Sequence, residues 1–269
     1  MRRGLLLALA CMLLLAGCGA GEAQKEYKYG VFIGSDADLS SYKDYETIVI
    51  DAQNYSAEQI KEYKSDSHKV LSYINVGSVE DFRDYYSDYD DITLGDYEHW
   101  DEEKWVDVSS EKWQRFILNE LAPSLEAKGI DGFFVDNCDV YYFYPNEEIL
   151  NGLAVIMRGL KSMGKEVIIN GGDAFLEAYT EEFGDALDVV TGINQESVFT
   201  AIDWDNGTFV EALTEDREYF MEYIEKYSAL GVRIYLLEYT KDWKIAEQIE
   251  QYCNEHGFAY YISDSLELD

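Results

Sequence analysis

The residues best suited to chemistry in this chain are acids and amides that directly follow short apolar runs. In the clearest case, the run 133–135 is followed by Asp136 and Asn137, with Asp139 close behind. A helix-like pattern precedes the run, and Gly129 is placed to end that helix, as expected before a buried parallel strand. Catalytic groups of α/β barrels stand at the carboxyl ends of such strands, so these residues are candidates for a catalytic site. The alternative is that they only cap the strand and turn the chain.

This pattern recurs, since nearly every strand that we predict ends in a polar or aromatic side chain. The predicted strands cover 29–33, 47–50, 70–74, 133–135, 167–169, 189–193, 234–237 and 259–262. Helical patterns cover 56–64, 110–128, 147–163, 174–183, 216–230 and 245–256. Eight strands alternating with helices are typical of an α/β protein with a (β/α)8 TIM barrel, so we predict one such domain over 27–269. A barrel brings all strand ends to one rim, and the residues there would be Asp51, Asn75, Asp136, Asn170, Glu196 and Tyr239.

An open, doubly wound sheet is the structural alternative to the barrel. Its nucleotide-binding form usually carries a Gly-x-Gly-x-x-Gly turn after the first strand. The corresponding turn in this chain, 34–38, reads GSDAD and lacks that pattern. The sequence also contains no P-loop motif. These features favour the barrel.

Two of the strand-end acids, Asp136 after the fourth strand and Glu196 after the sixth, are placed to act on a single bond. Glycoside hydrolysis needs two carboxyl groups, one for the anomeric carbon and one to protonate the leaving oxygen. Motifs for other chemistries are missing, since there is no His-Glu-x-x-His, paired Cys-x-x-Cys or Gly-x-Ser-x-Gly. The pair of acids therefore predicts a glycosidase.

Three further motifs have alternative readings. Cys138 is either a reactive thiol or a packed side chain, and we predict packing because no histidine lies near it in sequence. The segment 136–139 contains possible metal ligands, but we expect no metal there. The segment 203–207 (DWDNG) is similar to a calcium loop, yet its glycine comes one position early and the closing glutamate is missing. We predict a simple turn at 203–207.

A long segment after the third predicted strand, 80–108, is rich in acids and aromatic residues. Its rings are Tyr85, Tyr86, Tyr89, Tyr97, Trp100 and Trp105. Loops of this length are uncommon in compact domains and are often functional. We predict that this insertion forms a wall of the substrate cleft.

The first 17 residues have the features of a lipoprotein signal peptide. Arg2 and Arg3 precede an apolar stretch over 5–15 that is too short to span a bilayer. The stretch ends in the sequence LAGC at 15–18, which is similar to a bacterial lipobox. We therefore expect lipid on Cys18, a short tether over 18–26, and a domain held outside the cytoplasm at the bacterial cell membrane. An ordinary secretory peptide cleaved nearby is the alternative.

The mature chain would be strongly acidic. Removing Arg2 and Arg3 leaves 19 of the 21 Lys and Arg residues against 54 Asp and Glu residues, a formal net charge of −35. This charge argues against nucleic acid and anionic lipid surfaces as partners, and it suits a cationic substrate. The 23 Tyr, 12 Phe and 5 Trp residues suit stacking on sugars, although packing alone would also explain them.

Several segments together resemble one known family. They are 73–77 (YINVG), 105–108 (WVDV), 129–137 (GIDGFFVDN) with Asp139 and Tyr141, 169–172 (INGG) and 193–197 (INQES). These motifs are similar to those of glycoside hydrolase family 114, the endo-α-1,4-polygalactosaminidase-like barrels. The resemblance extends from about residue 29 to residue 262. The pairing of the segment at 131–137 with Asn-Gln-Glu at 194–196 is its most specific feature.

The resemblance implies a hydrolase of α-1,4-linked galactosamine polymers in which Asp136 and Glu196 are the catalytic carboxylates. Asp136 would be the nucleophile or stabilise the transition state and Glu196 the acid and base, although these roles are exchangeable at this stage. The expected substrate-binding residues are Asp51, Tyr73, Asn75, Asn137, Asp139, Tyr141, Asn170, Asn194, Gln195 and Tyr239. We expect a monomer without a cofactor. The alternative function is that of a non-catalytic polysaccharide-binding lipoprotein, which would have no need to keep both acids.

Overall fold

The computed structural model describes residues 27–65 and 67–269. The predicted signal peptide, Cys18 and the tether to residue 26 lie outside these residues. The strands are β1 (Tyr27–Phe32), β2 (Tyr45–Ile50), β3 (Lys69–Asn75), β4 (Ser78–Glu80), β5 (Thr93–Asp96), β6 (Glu103–Val106), β7 (Gly132–Asp136), β8 (Glu166–Asn170), β9 (Gly192–Glu196), β10 (Thr200–Asp203), β11 (Thr208–Glu211), β12 (Arg233–Tyr239) and β13 (Ala259–Ser263).

Helices connect these strands. They are α1 (Ala57–Lys64), α2 (Tyr86–Tyr89), α3 (Glu111–Phe116), α4 (Ala122–Ala127), α5 (Val140–Phe143), α6 (Glu147–Ser162), α7 (Asp173–Phe183), α8 (Thr214–Ala229) and α9 (Trp243–His256). A π-helical turn, Ile117–Leu121, joins α3 to α4, so the helix predicted over 110–128 is continuous. Local chemistry sets the helix starts: in α6 the Asn146 side chain accepts a hydrogen bond from the Ile149 amide at 2.9 Å.

Eight parallel strands form a nearly closed barrel in the order β1-β2-β3-β7-β8-β9-β12-β13. The first and last strands lie side by side, and Phe32 of β1 packs edge-on against Tyr261 of β13 with ring centroids 5.3 Å apart. The predicted (β/α)8 barrel is therefore confirmed. Within the described residues, no helix is long and apolar enough to cross a membrane.

Alternation along the strands decides which side chains enter the barrel. On β7, Phe133 and Val135 pack outward against the helices, whereas Phe134 packs inside the barrel with Ile168 of β8. Because side chains alternate between the two faces of a strand, Asp136 at the end of β7 also points inward. The same parity holds on β3, β8, β9 and β12. Strand parity thus directs the polar strand ends towards the barrel axis.

Two small antiparallel sheets extend the loops above this rim. Strands β4, β6 and β5 form one sheet within the insertion after β3, and β10 pairs with β11 in a hairpin after β9. Neither sheet was predicted, because these strands are four residues or fewer and carry charges where a buried strand would be apolar. The turn predicted at 203–207 is confirmed as the tip of the hairpin.

Cys138 is fully buried, and its Sγ lies 3.9 Å from the Met157 Sδ between the barrel and the helices. Burial raises the pKa of this thiol well above its ordinary value. The predicted packing role of Cys138 is therefore confirmed. No group of three or more His, Cys, Asp or Glu residues in the described part of the chain is arranged to hold a metal ion.

Candidate active site

Asp136 and Glu196 meet through the amide group of Asn170. The Asn170 Nδ2 donates hydrogen bonds to Asp136 Oδ1 at 2.9 Å and to Glu196 Oε1 at 2.6 Å. These two carboxyl oxygens are therefore at most 5.5 Å apart, the sum of the two bond lengths. The three side chains come from adjacent strands β7, β8 and β9, whose parity points them into the same space. The pairing of acids expected from the sequence is thus present in the geometry.

The orientation of the Asn170 amide is set from inside the barrel. Asn194, which is fully buried on β9, donates from Nδ2 to the Asn170 Oδ1 at 2.7 Å. The Tyr29 hydroxyl in turn donates to the Asn194 Oδ1 at 3.0 Å. With its oxygen occupied by Asn194, Asn170 presents its NH₂ group to the two acids. Asn194 therefore orients the site from beneath and does not line the cleft.

Burial raises the pKa of both acids, but different donors oppose this effect. For Glu196 the pKa rises to about 7, because burial and the nearby Asp136 outweigh hydrogen bonds from Asn170 and from Tyr239 at 2.9 Å. Burial also raises the pKa of Asp136, against three donors that favour its charged form: the Asn170 amide, the Asn137 backbone and the Tyr73 hydroxyl. With a pKa of about 7, Glu196 is the acid suited to hold a proton and give it up near neutral pH.

The loop after β7 forms one side of the site. Asn137 has a left-handed backbone with φ 66°, and its Oδ1 accepts a hydrogen bond from the Tyr97 hydroxyl at 3.0 Å. This conformation places its carbonyl against Gly77, where a Cβ would lie only 1.8 Å from the oxygen. Glycine is therefore required at position 77. Asp139 accepts from the Gly172 amide, and burial, with Asp173 nearby, raises its pKa to about 7.

An internal salt bridge lines the cleft near the ends of β2 and β4. Arg83 contacts Asp51 Oδ2 at 2.7 Å and Glu80 Oε1 at 3.0 Å, and the Arg83 side chain is only 9% exposed. The other Asp51 oxygen accepts from the Gln53 backbone at 3.0 Å, so both Asp51 oxygens are engaged within the protein. The carboxylates of Asp51 and Glu80 therefore largely neutralise the charge of the Arg83 guanidinium.

Glu103 is a further acid close to Asp136. It belongs to β6 in the insertion, and its Oε2 accepts hydrogen bonds from Ser78 at 2.7 Å and from Asn137 at 3.5 Å. Burial is the main reason that its pKa rises to about 7. This residue joins the insertion to the loop after β7 and lines the cleft.

These side chains enclose a cleft of about 600 Å³. Among the described residues, eight acids and one basic residue, Arg83, line it; the acids are Asp51, Glu80, Glu102, Glu103, Asp136, Asp139, Glu196 and Glu267. Aromatic walls are provided by Trp100 in the insertion and Trp204 at the hairpin tip. The cleft is therefore suited to a cationic ligand with flat apolar faces.

The residues expected to bind substrate divide into two groups. Those that line the cleft are Asp51, Tyr73, Asn137, Asp139, Asn170 and Tyr239. The other four, Asn75, Tyr141, Asn194 and Gln195, do not line it. Asn75 bonds Ser78 through both amide atoms, and Gln195 donates to the Glu196 carbonyl at 3.0 Å. Tyr141 packs against the helical layer.

Sequence reasoning did not identify several groups in the cleft: Glu80, Arg83, Glu103 and Trp204. Each lies in a connection between barrel strands, so no barrel strand end marks it. The acidic and aromatic composition of the insertion was the feature of the sequence that pointed to this region. Trp100 of the insertion does line the cleft, whereas Tyr86 does not.

Another buried acid, Glu238 on β12, has a different environment. It is fully buried and accepts hydrogen bonds from the backbone amides of Val198, Phe199 and Thr200 and from the Thr200 hydroxyl. Burial raises its pKa to about 7 in spite of these donors. Glu238 does not line the cleft. Its hydrogen bonds instead hold residues 198–200, which follow Glu196, against β12.

Comparison with known proteins gives a consistent picture. The family model of glycoside-hydrolase family GH114 matches residues 20–268. The glycoside hydrolase domain of PelA from Pseudomonas aeruginosa superimposes with a TM-score of 0.74 at 17% identity, covering 90% of this chain and 96% of that one. Ega3 of Aspergillus fumigatus, solved in complex with galactosamine, gives a TM-score of 0.71 at 14% identity, covering 93% and 95%.

A more distant likeness is shared with TtGalA, an alpha-galactosidase from Thermus thermophilus, with a TM-score of 0.55 at 8% identity, covering 90% of this chain and 58% of that one. At these identities the structural similarities indicate the fold. No curated protein sequence matches this chain.

Proposed function

This chain belongs to glycoside hydrolase family GH114, and from that premise we propose that it cleaves α-1,4-linked polymers of galactosamine or N-acetylgalactosamine outside the cytoplasm. The observation that carries the proposal is the contact of one amide, Asn170, with both acids of a glycosidase pair. It joins Asp136 and Glu196 at the floor of an acidic, aromatic cleft. No cofactor takes part in the proposed reaction.

The roles of the two acids follow from their environments. Asp136, whose carboxyl oxygen accepts a hydrogen bond from the Asn170 amide at 2.9 Å, attacks the anomeric carbon as the nucleophile. Glu196, with its pKa raised to about 7, donates its proton to the glycosidic oxygen as that bond breaks. The resulting glycosyl ester on Asp136 is then hydrolysed by water, whose proton passes to Glu196. This second step restores both acids and releases the sugar.

The separation of the acids supports the retaining course. Retaining glycosidases hold their carboxyl groups roughly 5–5.5 Å apart, whereas inverting ones need about 6.5–9.5 Å to admit a water molecule. The facing oxygens of Asp136 and Glu196 are at most 5.5 Å apart because both bind the Asn170 Nδ2. Product of the same anomeric configuration as the substrate is therefore expected.

The charge of the cleft supports a substrate that carries free amines. In the part of the chain that the structure describes, eight acids line it, and Arg83 is already paired with Asp51 and Glu80. A partly deacetylated galactosamine chain is a polycation, so it would be attracted to this cleft and would offset the repulsion among the acids. The galactosamine bound to Ega3 is consistent with this choice.

The direct test is digestion of a polymer panel by the purified protein, with products identified by mass spectrometry. Partly deacetylated α-1,4-galactosamine polymer should be cleaved fastest, the fully acetylated polymer more slowly, and a neutral α-1,4-glucan not at all. Cleavage of the glucan at a comparable rate, or an intact galactosamine polymer, would contradict the proposal.

Glu103→Gln tests the recognition of charge. The variant should lower the preference for deacetylated over acetylated polymer by roughly 2- to 5-fold, as expected for the loss of one partly screened ion pair. Glu247→Gln, on the exposed face of α9, is the matched control and should leave the preference unchanged. Equal preference in wild type and the Glu103 variant would remove Glu103 from substrate recognition.

We further propose that the enzyme acts as a monomer anchored by lipid on Cys18. The support is the order of features in the sequence: Arg2 and Arg3, the apolar stretch 5–15, and Leu-Ala-Gly before the cysteine. Cys18→Ser should either release the protein from the membrane fraction or block removal of its signal peptide. Fractionation and N-terminal mass analysis distinguish these results. A processed Cys18→Ser protein that stays in the membrane would rule out the lipid anchor.

A further inference from the structure

Two loops from distant strands meet at the mouth of the barrel. The His99 ring stacks on the Trp204 ring with centroids 4.3 Å apart and an angle of 8° between the planes. Trp100 meets the same indole edge-on at 6.5 Å. His99 and Trp100 belong to the insertion after β3, whereas Trp204 lies at the tip of the β10–β11 hairpin after β9.

The order of the barrel strands shows which part of the barrel mouth this contact crosses. β3 and β9 are the third and sixth strands of the barrel, with β7 and β8 between them. A link between their loops must therefore cross the mouth on the side of β7 and β8, whose ends carry Asp136 and Asn170. Trp100 and Trp204 both line the cleft together with Asp136, so the link lies over the catalytic side of the mouth.

The link joins two loops with unusual local features. His99 has a left-handed backbone with φ 70°, a conformation that is uncommon outside glycine but more frequent in histidine than in most residues. Both loops are also acidic, with Glu98 and Asp101 on one and Asp203 and Asp205 on the other. Their approach costs like-charge repulsion, which a polycation between them would reduce.

The rings themselves remain accessible. Trp100 is 38% exposed and Trp204 is 42% exposed, although each contacts the other loop. Aromatic pairs of this kind contribute modest stability and keep exposed faces for stacking. The link can therefore both hold the loops together and contact a sugar chain.

We propose that His99 and Trp204 form a strap across the cleft that determines how the polysaccharide enters it. A chain threads beneath the strap and is retained after each cleavage, so that one chain is cut several times before release. Entry at an internal segment requires the strap to part. This inference rests on the proposed function for its substrate, but the strap itself is a property of the free protein.

The first experiment needs no substrate. His99→Asn removes the stacking ring while keeping a residue that tolerates the left-handed backbone. Amide hydrogen exchange should accelerate in this variant at both 97–102 and 203–207, since each loop loses its partner. Trp243→Ala, which removes a 68% exposed indole from α9, is the matched control and should leave both loops unchanged. Unchanged amide hydrogen exchange at 203–207 in the His99 variant would contradict the proposed strap.

The second experiment compares a long, partly deacetylated α-1,4-galactosamine polymer with short oligosaccharides of the same linkage. Trp204→Ala and His99→Asn should lower the ratio of polymer to oligosaccharide turnover by roughly 2- to 10-fold, the factor expected for one aromatic pair. Early products should shift to large fragments, because chains dissociate between cuts. Trp204→Phe, which keeps a stacking face, should restore most of the wild-type pattern.

The outcomes separate the two proposals. Equal losses on polymer and oligosaccharide, with unchanged early products, would show that the rings only bind sugar and would overturn the threading inference. If the loops are coupled in hydrogen exchange but wild-type protein cuts no galactosamine polymer, the strap is supported and the proposed substrate fails.

Discussion

Glu196→Gln should fold normally and lose roughly 10²- to 10⁴-fold in turnover, the contribution of a general acid. Glutamine keeps the size of the side chain and can still bond Asn170 and Tyr239, which contact the two Glu196 oxygens. What it cannot do is release a proton to the leaving oxygen. Asp136→Asn should lose at least as much, because an amide is a poor nucleophile and forms no glycosyl ester.

Folding controls decide whether these losses are chemical. Burial already raises the pKa of both acids, so replacing either with a neutral amide should leave the melting temperature close to the wild-type value. Glu166→Gln is the matched control: it breaks ion pairs with Lys69 and Arg233 at the opposite end of β8. This control should affect stability slightly and turnover hardly at all. A Glu196→Gln enzyme with wild-type turnover would contradict the assignment.

Asn170→Asp should produce the second largest effect, with turnover falling roughly 10²-fold or more, as when a preorganised donor is lost from an active site. Aspartate still accepts the hydrogen bond from Asn194, so the side chain keeps its place. It can no longer donate to Asp136 and Glu196, and it adds a third carboxyl group between them. Both changes disfavour the ionised forms of the two catalytic acids.

The pH–rate profile tests the direction in which the Asn170 variant changes the pKa of the two acids. In the wild type, activity should fall above about pH 7, where Glu196 loses the proton it must donate, and fall in acid as Asp136 becomes protonated. Removing a donor and adding a like charge raise the pKa of both acids, so both limbs in Asn170→Asp should move to higher pH. Asn170→Ala removes the donor alone and should move them less. Unshifted limbs in the Asp variant would contradict the role of Asn170.

The local pattern of the sequence was sufficient for the barrel and for the inward direction of the two acids, Asp136 and Glu196. Apolar runs and helix periodicity are local properties, and parity along a strand follows from backbone geometry alone. Phe134 inside the barrel therefore implies Asp136 inside it, two residues later. The same rule correctly placed Tyr73, Asn170 and Tyr239 at the cleft. It also applied to Asn194, which points inward but lies one layer below the cleft.

The local pattern could not predict how deep inside the barrel each inward-facing side chain lies. Asn170 and Asn194 are register partners on β8 and β9, yet one contacts both acids and the other only supports it. The difference depends on neighbouring side chains such as Tyr29, which comes from the far end of the sequence. Asn75 is a similar case, because its amide is used up in the turn to Ser78.

The sequence by itself thus determined the fold class, the acid pair and the negative charge of the protein, since each follows from residue type and short-range spacing. Tertiary structure alone decided the further acid Glu103, the paired Arg83 and the meeting of His99 with Trp204. These groups lie in the connections between barrel strands, where no long hydrophobic period predicts their position. Their contacts join residues far apart in the chain, so they exist only once the closed barrel has brought the loops to a common rim.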